Sequence, residues 1–329
     1  MDNDRYLSAY YFMGQTLSAV RENALRDMDW LAEAGFDAVC VCVHEFQLMG
    51  VHTHGLQQLC DAAHRADLDV LAVPSRWCGL IAGWPPSPGQ FSATRPDTWM
   101  LDSFGNPEIR PYGGAVCSVH HDDVVAHMEQ CTVEMLQQYE VDGIVWDELK
   151  TLWNEFRQEE MVDHHPAAIQ KLGAPASGDA QRQKTFEVFA RCNHVARNLQ
   201  EGLRIVSFVY ANLSDQIVQP WATIDGLDEV GPDGRPGYDD DFPDAGGKTL
   251  LSNADRFLEF AASAGRRSFA LLETQFFDQR DARIAIDKVE QVCAAGFDHL
   301  SVYYHPLVEE PAGEVTAELA SVLGDWRQG

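Results

Sequence analysis

Strand-like and helix-like stretches alternate eight times along this chain of 329 residues. Short runs rich in Val, Ile and aromatic residues predict strands at 6–13, 38–44, 69–74, 143–147, 204–210, 223–230, 268–273 and 299–304. Apolar residues at helical spacing predict helices at 18–34, 56–66, 123–139, 183–202, near 215, and at 254–264, 281–295 and 315–323. Gly35 and Gly296 follow two of these helices as stop signals. Eight βα units in one chain predict an α/β fold of the (β/α)8 TIM-barrel type, with residues 1–329 as one domain. A doubly wound open sheet would offer a glycine-rich turn after its first strand, and a lone Gly14 follows Met13. Two long loops stand out, after strands 3 and 4, at about 76–120 and 149–182. Long loops in a compact domain are usually functional.

The chain carries 51 acidic against 24 basic residues, a formal net charge of −27. Its 45% hydrophobic content is too high for a disordered acidic chain. A dense carboxylate surface stays hydrated at high salt, where its self-repulsion is screened, so the composition reads as halophilic. Nucleic acid is excluded as a partner because phosphate binding needs a basic face. No apolar run is long enough to span a membrane. The acidic start Met1-Asp2-Asn3-Asp4-Arg5 lacks a secretory pattern, so a cytoplasmic location is expected. The eight cysteines include no C-x-x-C pair, which fits buried free thiols. Cys40-Val41-Cys42 is expected to send its thiols to opposite faces of a strand and so to form no zinc site.

Reactive groups of such a barrel collect at the C-terminal ends of its strands. Those ends offer Tyr10 and Tyr11, His44 and Glu45, Arg76 and Trp77, Asp147, Glu148 and Lys150, and Tyr210 and Asn212. They further offer Asp228 and Glu229, Glu273 and Gln275, and Tyr303, Tyr304 and His305. A carboxylate that closes an unbroken apolar run, as in Phe269-Ala270-Leu271-Leu272-Glu273, is a poor way to build a core and a good way to present an acid. Asp147, Glu148 and Glu273 are the sharpest set, because strands 4 and 7 lie across the barrel from each other. Two carboxylates there can flank a glycosidic bond, one protonating the leaving oxygen while the other attacks or activates water. Neighbouring strand residues point oppositely, so one of Asp147 and Glu148 is expected to face the site. Lys150 can hold that carboxylate ionised, or be an ordinary surface lysine.

The loop after strand 3 carries Trp77, Trp84, Phe91, Trp99, Phe104 and Tyr112. Aromatic rings stack on the C–H faces of sugars, although a long loop also needs a small core of its own. Trp77, directly after Arg76 at a strand end, is the best platform among them. His120-His121 precede Asp122-Asp123 and read as a helix start. His52-Thr53-His54 lies past strand 2 and reads as loop.

Residues 118–124 and the stretch Gln138-Tyr139-Glu140-Val141-Asp142-Gly143-Ile144-Val145-Trp146-Asp147-Glu148 resemble the strand-4 region of glycoside-hydrolase-like TIM barrels, of an acidic, haloarchaeal type. The upstream Trp99-Met100-Leu101-Asp102-Ser103-Phe104-Gly105-Asn106-Pro107 is similar to their segment before that helix. The resemblance covers residues 95–150. It implies a carbohydrate-active barrel with Asp147 or Glu148 as a leading catalytic carboxylate. Retaining members of one such group show Asn-Glu at strand 4, where this chain has Asp147-Glu148. In α-glycosidase-type barrels the strand-4 Asp is the nucleophile and the acid comes from a later strand, which would pair Asp147 with Asp228 or Glu229.

The expected function is therefore a glycoside hydrolase acting on a carbohydrate without a cofactor. Glu148 is the expected general acid/base and Glu273 the nucleophile or base, with Asp147 positioning or replacing Glu148. Tyr11, His44, Glu45, Arg76, Trp77, Asn212, Glu229 and Tyr304 are expected to line the sugar site. Two alternatives stand. One is a metal-dependent sugar isomerase or epimerase, with a divalent cation held by His44, Glu45, Asp147, Glu229 and Glu273. The other is a sugar-binding barrel without catalysis.

Overall fold

The computed structural model describes residues 5–11, 20–49, 53–84, 87–111, 113–154, 157, 159–274, 279–304 and 312–328. Eight parallel strands close into a barrel: β1 (Tyr6–Tyr11), β2 (Ala38–His44), β3 (Asp69–Ser75), β4 (Gly143–Asp147), β5 (Arg204–Tyr210), β6 (Glu229–Gly234), β7 (Arg267–Leu272) and β8 (His299–Tyr304). Each strand pairs with its neighbours in sequence, and β8 closes on β1 in register from Tyr6↔His299 to Tyr11↔Tyr304. Eight helices follow the strands: α1 (Arg21–Glu33), α2 (Thr53–Arg65), α3 (Asp122–Gln138), α4 (Gly178–Leu199), α5 (Asp215–Ala222), α6 (Leu250–Ser263), α7 (Gln279–Ala294) and α8 (Ala312–Gln328). The (β/α)8 barrel expected from the alternation is thus the observed architecture. Gly35 and Gly296 adopt the left-handed conformation as expected, at φ 86° and 99°.

Most strand residues are apolar because both faces of the strands are buried, with β6 the exception. One cluster fills the barrel interior, with Tyr6, Tyr10, Cys40, Cys42, Leu71, Val145, Phe208, Phe269 and Leu271 among its members. A second, larger cluster joins the outer strand faces to the helices and takes the alternate residues Leu7, Ala9, Tyr11, Val39, Val41, Val43, Ile144 and Trp146. Cys40 and Cys42, expected on opposite faces, both point inward. They are two residues apart, and the strand period is two.

Strand β6 departs from expectation. It starts at Glu229 rather than ending there. Gly231-Pro232-Asp233-Gly234 has turn composition yet continues the strand, paired with β5 through Pro232↔Val209 and Asp233↔Tyr210. Gly231 is required there: a Cβ would lie 1.6 Å from the Phe269 carbonyl oxygen.

The shift moves Glu229 to the N-terminal end of the barrel. There it pairs with Arg204 and accepts from His299 Nδ1 at 2.6 Å. Ser8 Oγ lies 2.8 Å from the other ring nitrogen of His299. Burial holds the imidazole pKa below its ordinary value. A neutral ring that donates to Glu229 and accepts from Ser8 satisfies both contacts. Against its burial, Glu229 is held below its ordinary range by His299 and then by Arg204 and Arg267.

The loop after β3 contains a short helix, Gln90–Thr94, and a small hairpin pairing Ile109–Arg110 with Gly114–Ala115. The loop after β4 contains a two-residue ladder, Trp153–Asn154 with Glu159–Glu160, and the helix Pro166–Leu172. The two loops brace each other. Ile81 bridges Leu149, His164 N–H donates to the Leu101 carbonyl at 2.9 Å, and Arg110 donates to the carbonyls of Lys150 and Trp153 at 2.9 and 2.8 Å. No helix among the described residues is long and apolar enough to cross a membrane.

Candidate active site at the C-terminal mouth of the barrel

Asp147 closes β4 on the interior side, in line with Val145. Strand alternation would turn Glu148 outward. Instead its backbone sits at φ 40°, in the left-handed region. That turn returns the Glu148 side chain to the mouth, so both neighbours serve one site. A non-glycine residue held there costs about 1–3 kcal/mol and marks a place where geometry is imposed. Tyr10, from β1, donates its hydroxyl to Asp147 Oδ2 at 2.5 Å.

Two lysines meet Glu148. Lys150 pairs with its Oε2 and donates to the Tyr210 hydroxyl at 2.5 Å. Lys248, from the loop between β6 and α6, lies 3.5 Å from Glu148 Oε1, 3.0 Å from Asp233 Oδ2 and 2.7 Å from Glu273 Oε1. One ammonium therefore gathers carboxylates from β4, β6 and β7. Its Nζ also sits 3.9 Å from the centroid of the Tyr210 ring. The Arg235 N–H donates to the Lys248 carbonyl at 2.9 Å and fixes the loop that carries it.

The acids are driven apart electrostatically. Burial, then the charge of Glu148, pushes Asp147 up to about 6. Burial alone would raise Glu148 as well, but Lys150 and Lys248 outweigh it and hold the carboxyl down to about 2. Asp233 is raised well above the carboxylate range, chiefly by burial and by Glu148 and Glu273, against the pull of Lys248. Its Oδ1 is buried without a donor, and it abuts Glu148. A proton on Asp233 directed at Glu148 accounts for both facts. Lys248 is raised by the three carboxylates and stays charged despite its burial.

Of the residues expected from sequence, the structure gathers Asp147, Glu148, Glu273 and Lys150 at the mouth. Arg76 stands nearby, close enough to lower Asp147 slightly, and its Nε donates to the Gly83 carbonyl at 3.1 Å. The others go elsewhere. Tyr11 points to the helix layer and donates to Asp27 at 2.9 Å, while its neighbour Tyr10 takes the interior position. Trp77 is fully buried outside the barrel, its Nε1 bonded to the Val43 carbonyl at 2.9 Å, and offers no ring to a ligand. Trp84 packs against the interior cluster from the mouth side. His44 contacts the Trp84 carbonyl at 2.9 Å. Glu45 turns outward and accepts from the N–H groups of Cys78 and Phe91 at 2.8 and 2.6 Å. Asn212 is exposed and donates to the Gly246 carbonyl at 3.0 Å.

Glu229 lies at the opposite end of the barrel, and Asp228 pairs with Arg197 at 2.5 Å. The set His44, Glu45, Asp147, Glu229 and Glu273 therefore does not converge on one point. The Tyr304 side chain, Gln275, His305, Tyr112 and His52 lie outside the described residues. Phe104 is exposed, and Phe91 stacks on His127 at 4.3 Å. His121 caps α3, accepting from Asp123 N–H at 3.2 Å, and His54 belongs to α2. Sequence reasoning missed Asp233 and Lys248. Lysine scarcity was the available signal: two of five lysines in the chain lie in the mouth.

No protein-family model matches the chain, and no curated protein sequence matches it. Solved structures do. The β-galactosidase of the Antarctic haloarchaeon Halorubrum lacusprofundi is similar at a TM-score of 0.65 and 11% identity, covering 98% of this chain and 58% of that one. The β-galactosidase of the psychrophile Marinomonas ef1 gives 0.63 and 12%, covering 97% and 59%. The α-amylase of Geobacillus thermoleovorans gives 0.58 and 11%, covering 99% and 79%. The chain thus spans less than two thirds of the β-galactosidases it matches. What it shares with these glycoside hydrolases is the TIM-barrel fold.

Proposed function

We propose that the protein is a glycoside hydrolase that needs no cofactor, with Asp147 as general acid and Glu273 as nucleophile or base. The observation that carries this reading is the meeting of carboxylates from opposite sides of the barrel at one mouth, where Lys248 lies 3.5 Å from Glu148 and 2.7 Å from Glu273 beside the buried Asp147. The surroundings push Asp147 up and hold Glu148 down. Carboxyls whose environments push them apart can divide acid and base roles at one pH. Glu148, clamped by two lysines, is a poor proton donor near neutrality. The acid role therefore passes to Asp147, and Glu148 serves as the charge that raises it. Glu273 comes from across the barrel and reaches the same ammonium. The fold shared with β-galactosidases and an α-amylase supports a carbohydrate as substrate.

The test uses aryl glycosides with good and poor leaving groups, together with oligosaccharides. Asp147→Asn is expected to lose about 10²–10⁴-fold in kcat on poor leaving groups and little on 4-nitrophenyl glycosides, which need no proton. Glu273→Gln is expected to lose activity on both. Full activity of Asp147→Asn on poor leaving groups would sink the assignment. Sugar binding without turnover by the parent protein would favour the non-catalytic barrel. The rate should also fall as pH rises through about 6, where Asp147 loses its proton. Glu148→Gln should move that limb to lower pH by removing the charge that raises Asp147.

A further inference from the structure

We propose a second site, on the outer side of the barrel wall, where Glu45, Cys78, His127 and Cys131 bind a thiophilic divalent cation of the zinc type. The ligand atoms of Glu45, Cys78 and His127 lie within 4.8 Å of one another. His127 Nε2 is 3.4 Å from Glu45 Oε1 and 3.3 Å from Cys131 Sγ. Metal bonds of about 2.0–2.3 Å put the corners of a tetrahedron about 3.3–3.8 Å apart. Glu45, Cys78 and His127 are the three that already converge, and Cys131, in contact with His127 alone among them, would swing in as the fourth. His127 and Cys131 are four residues apart on α3 and share a face. Glu45 follows the end of β2, and Cys78 sits in the turn after β3.

The supporting contacts are already in place. Glu45 is oriented by the N–H groups of Cys78 and Phe91 at 2.8 and 2.6 Å. The His127 ring stacks on Phe91. Such outer contacts orient metal ligands. Cys78 is held at φ 52°, a costly conformation, and its Sγ lies in the cluster. A cavity of about 290 Å³, lined by Glu45, Phe91, His127 and Cys131 among others, reaches three of the four residues, with Cys78 buried behind them. Burial raises both thiols when no metal is bound. Binding would convert them to thiolates and release their two protons to solvent. The ion would tie the end of β2 and the turn that starts the long mouth loop to α3. It would act as a staple, separate from the mouth acids.

The experiment is a Co²⁺ titration of the reduced, chelator-treated full-length protein. The expected result is one equivalent bound, with a thiolate-to-cobalt absorption band and tetrahedral visible bands that Zn²⁺ displaces. His127→Gln and Cys131→Ser should each weaken binding by more than about tenfold, while Cys293→Ser, on α7, should leave it unchanged. Zn²⁺ should raise the unfolding temperature of the parent and not of the two ligand variants. Absence of the thiolate band in the parent overturns the site, as does a band that persists at full affinity in both ligand variants.

Discussion

Glu148, held at φ 40° just past β4, turns its carboxylate to the same mouth as Asp147 and there meets Lys150 and Lys248. The pair Asp147-Glu148 stands out as acid closing an apolar strand, but strand alternation predicts that one of the two faces away. A single left-handed residue brings both to the mouth, and no composition rule announces φ 40° at a glutamate. Tyr10 and Tyr11 make the complementary case. The alternation holds there, and which tyrosine points inward depends on register, which a first strand read alone does not fix. Asp147 also ties the site to stability. Its carboxyl stays neutral in the fold to about pH 6 but ionises near 3.8 when unfolded. Its contribution is therefore full below about pH 4 and is lost as pH rises through 6, on the order of 2–3 kcal/mol. Thermal melts should find Asp147→Asn more stable than the parent at pH 8, with the advantage shrinking toward pH 4. An advantage independent of pH would show that Asp147 is not held neutral.

At the scale of elements, β2, β4, β5 and β8 match expectation residue for residue because each is a short apolar run bounded by polar residues. Strand β6 does not. Gly231-Pro232-Asp233-Gly234 looks like a turn in isolation and becomes strand through its pairing with β5, so the acid presented by that strand is Asp233 and not Asp228 or Glu229. Trp77 shows the limit for loops: a tryptophan at a strand end reads equally as platform or as core, and here it is core. The displaced Glu229 has a task of its own, neutralising Arg204 and orienting His299 inside the closed end of the barrel. Glu229→Gln leaves a partly buried guanidinium with weakened support. It should cost about 3–5 kcal/mol in chemical denaturation, without moving the pH limb assigned to Asp147. A shift of that limb would mean that the two ends of the barrel are coupled.

For the molecule as a whole, a formal net charge of −27 acts on stability independently of packing. Like charges on a closed surface repel, and screening shortens their reach from about 10 Å at 0.1 M salt to about 3 Å at 1 M. We propose that the acidic surface is an adaptation to high salt, and expect the unfolding temperature to climb between those concentrations of NaCl. A flat response would leave the acid content without that role.

Inside the mouth, the same excess of acid is organised around Lys248, whose one ammonium touches carboxylates from three strands. Glu148 and Asp233 among them cannot take up or release protons independently. A ligand hydroxyl that displaces Lys248 from any one carboxylate changes the proton affinity of the others. A ligand entering this mouth would thus couple its binding to proton placement, and the loop that carries Lys248 is where that binding would be felt as a change of charge state.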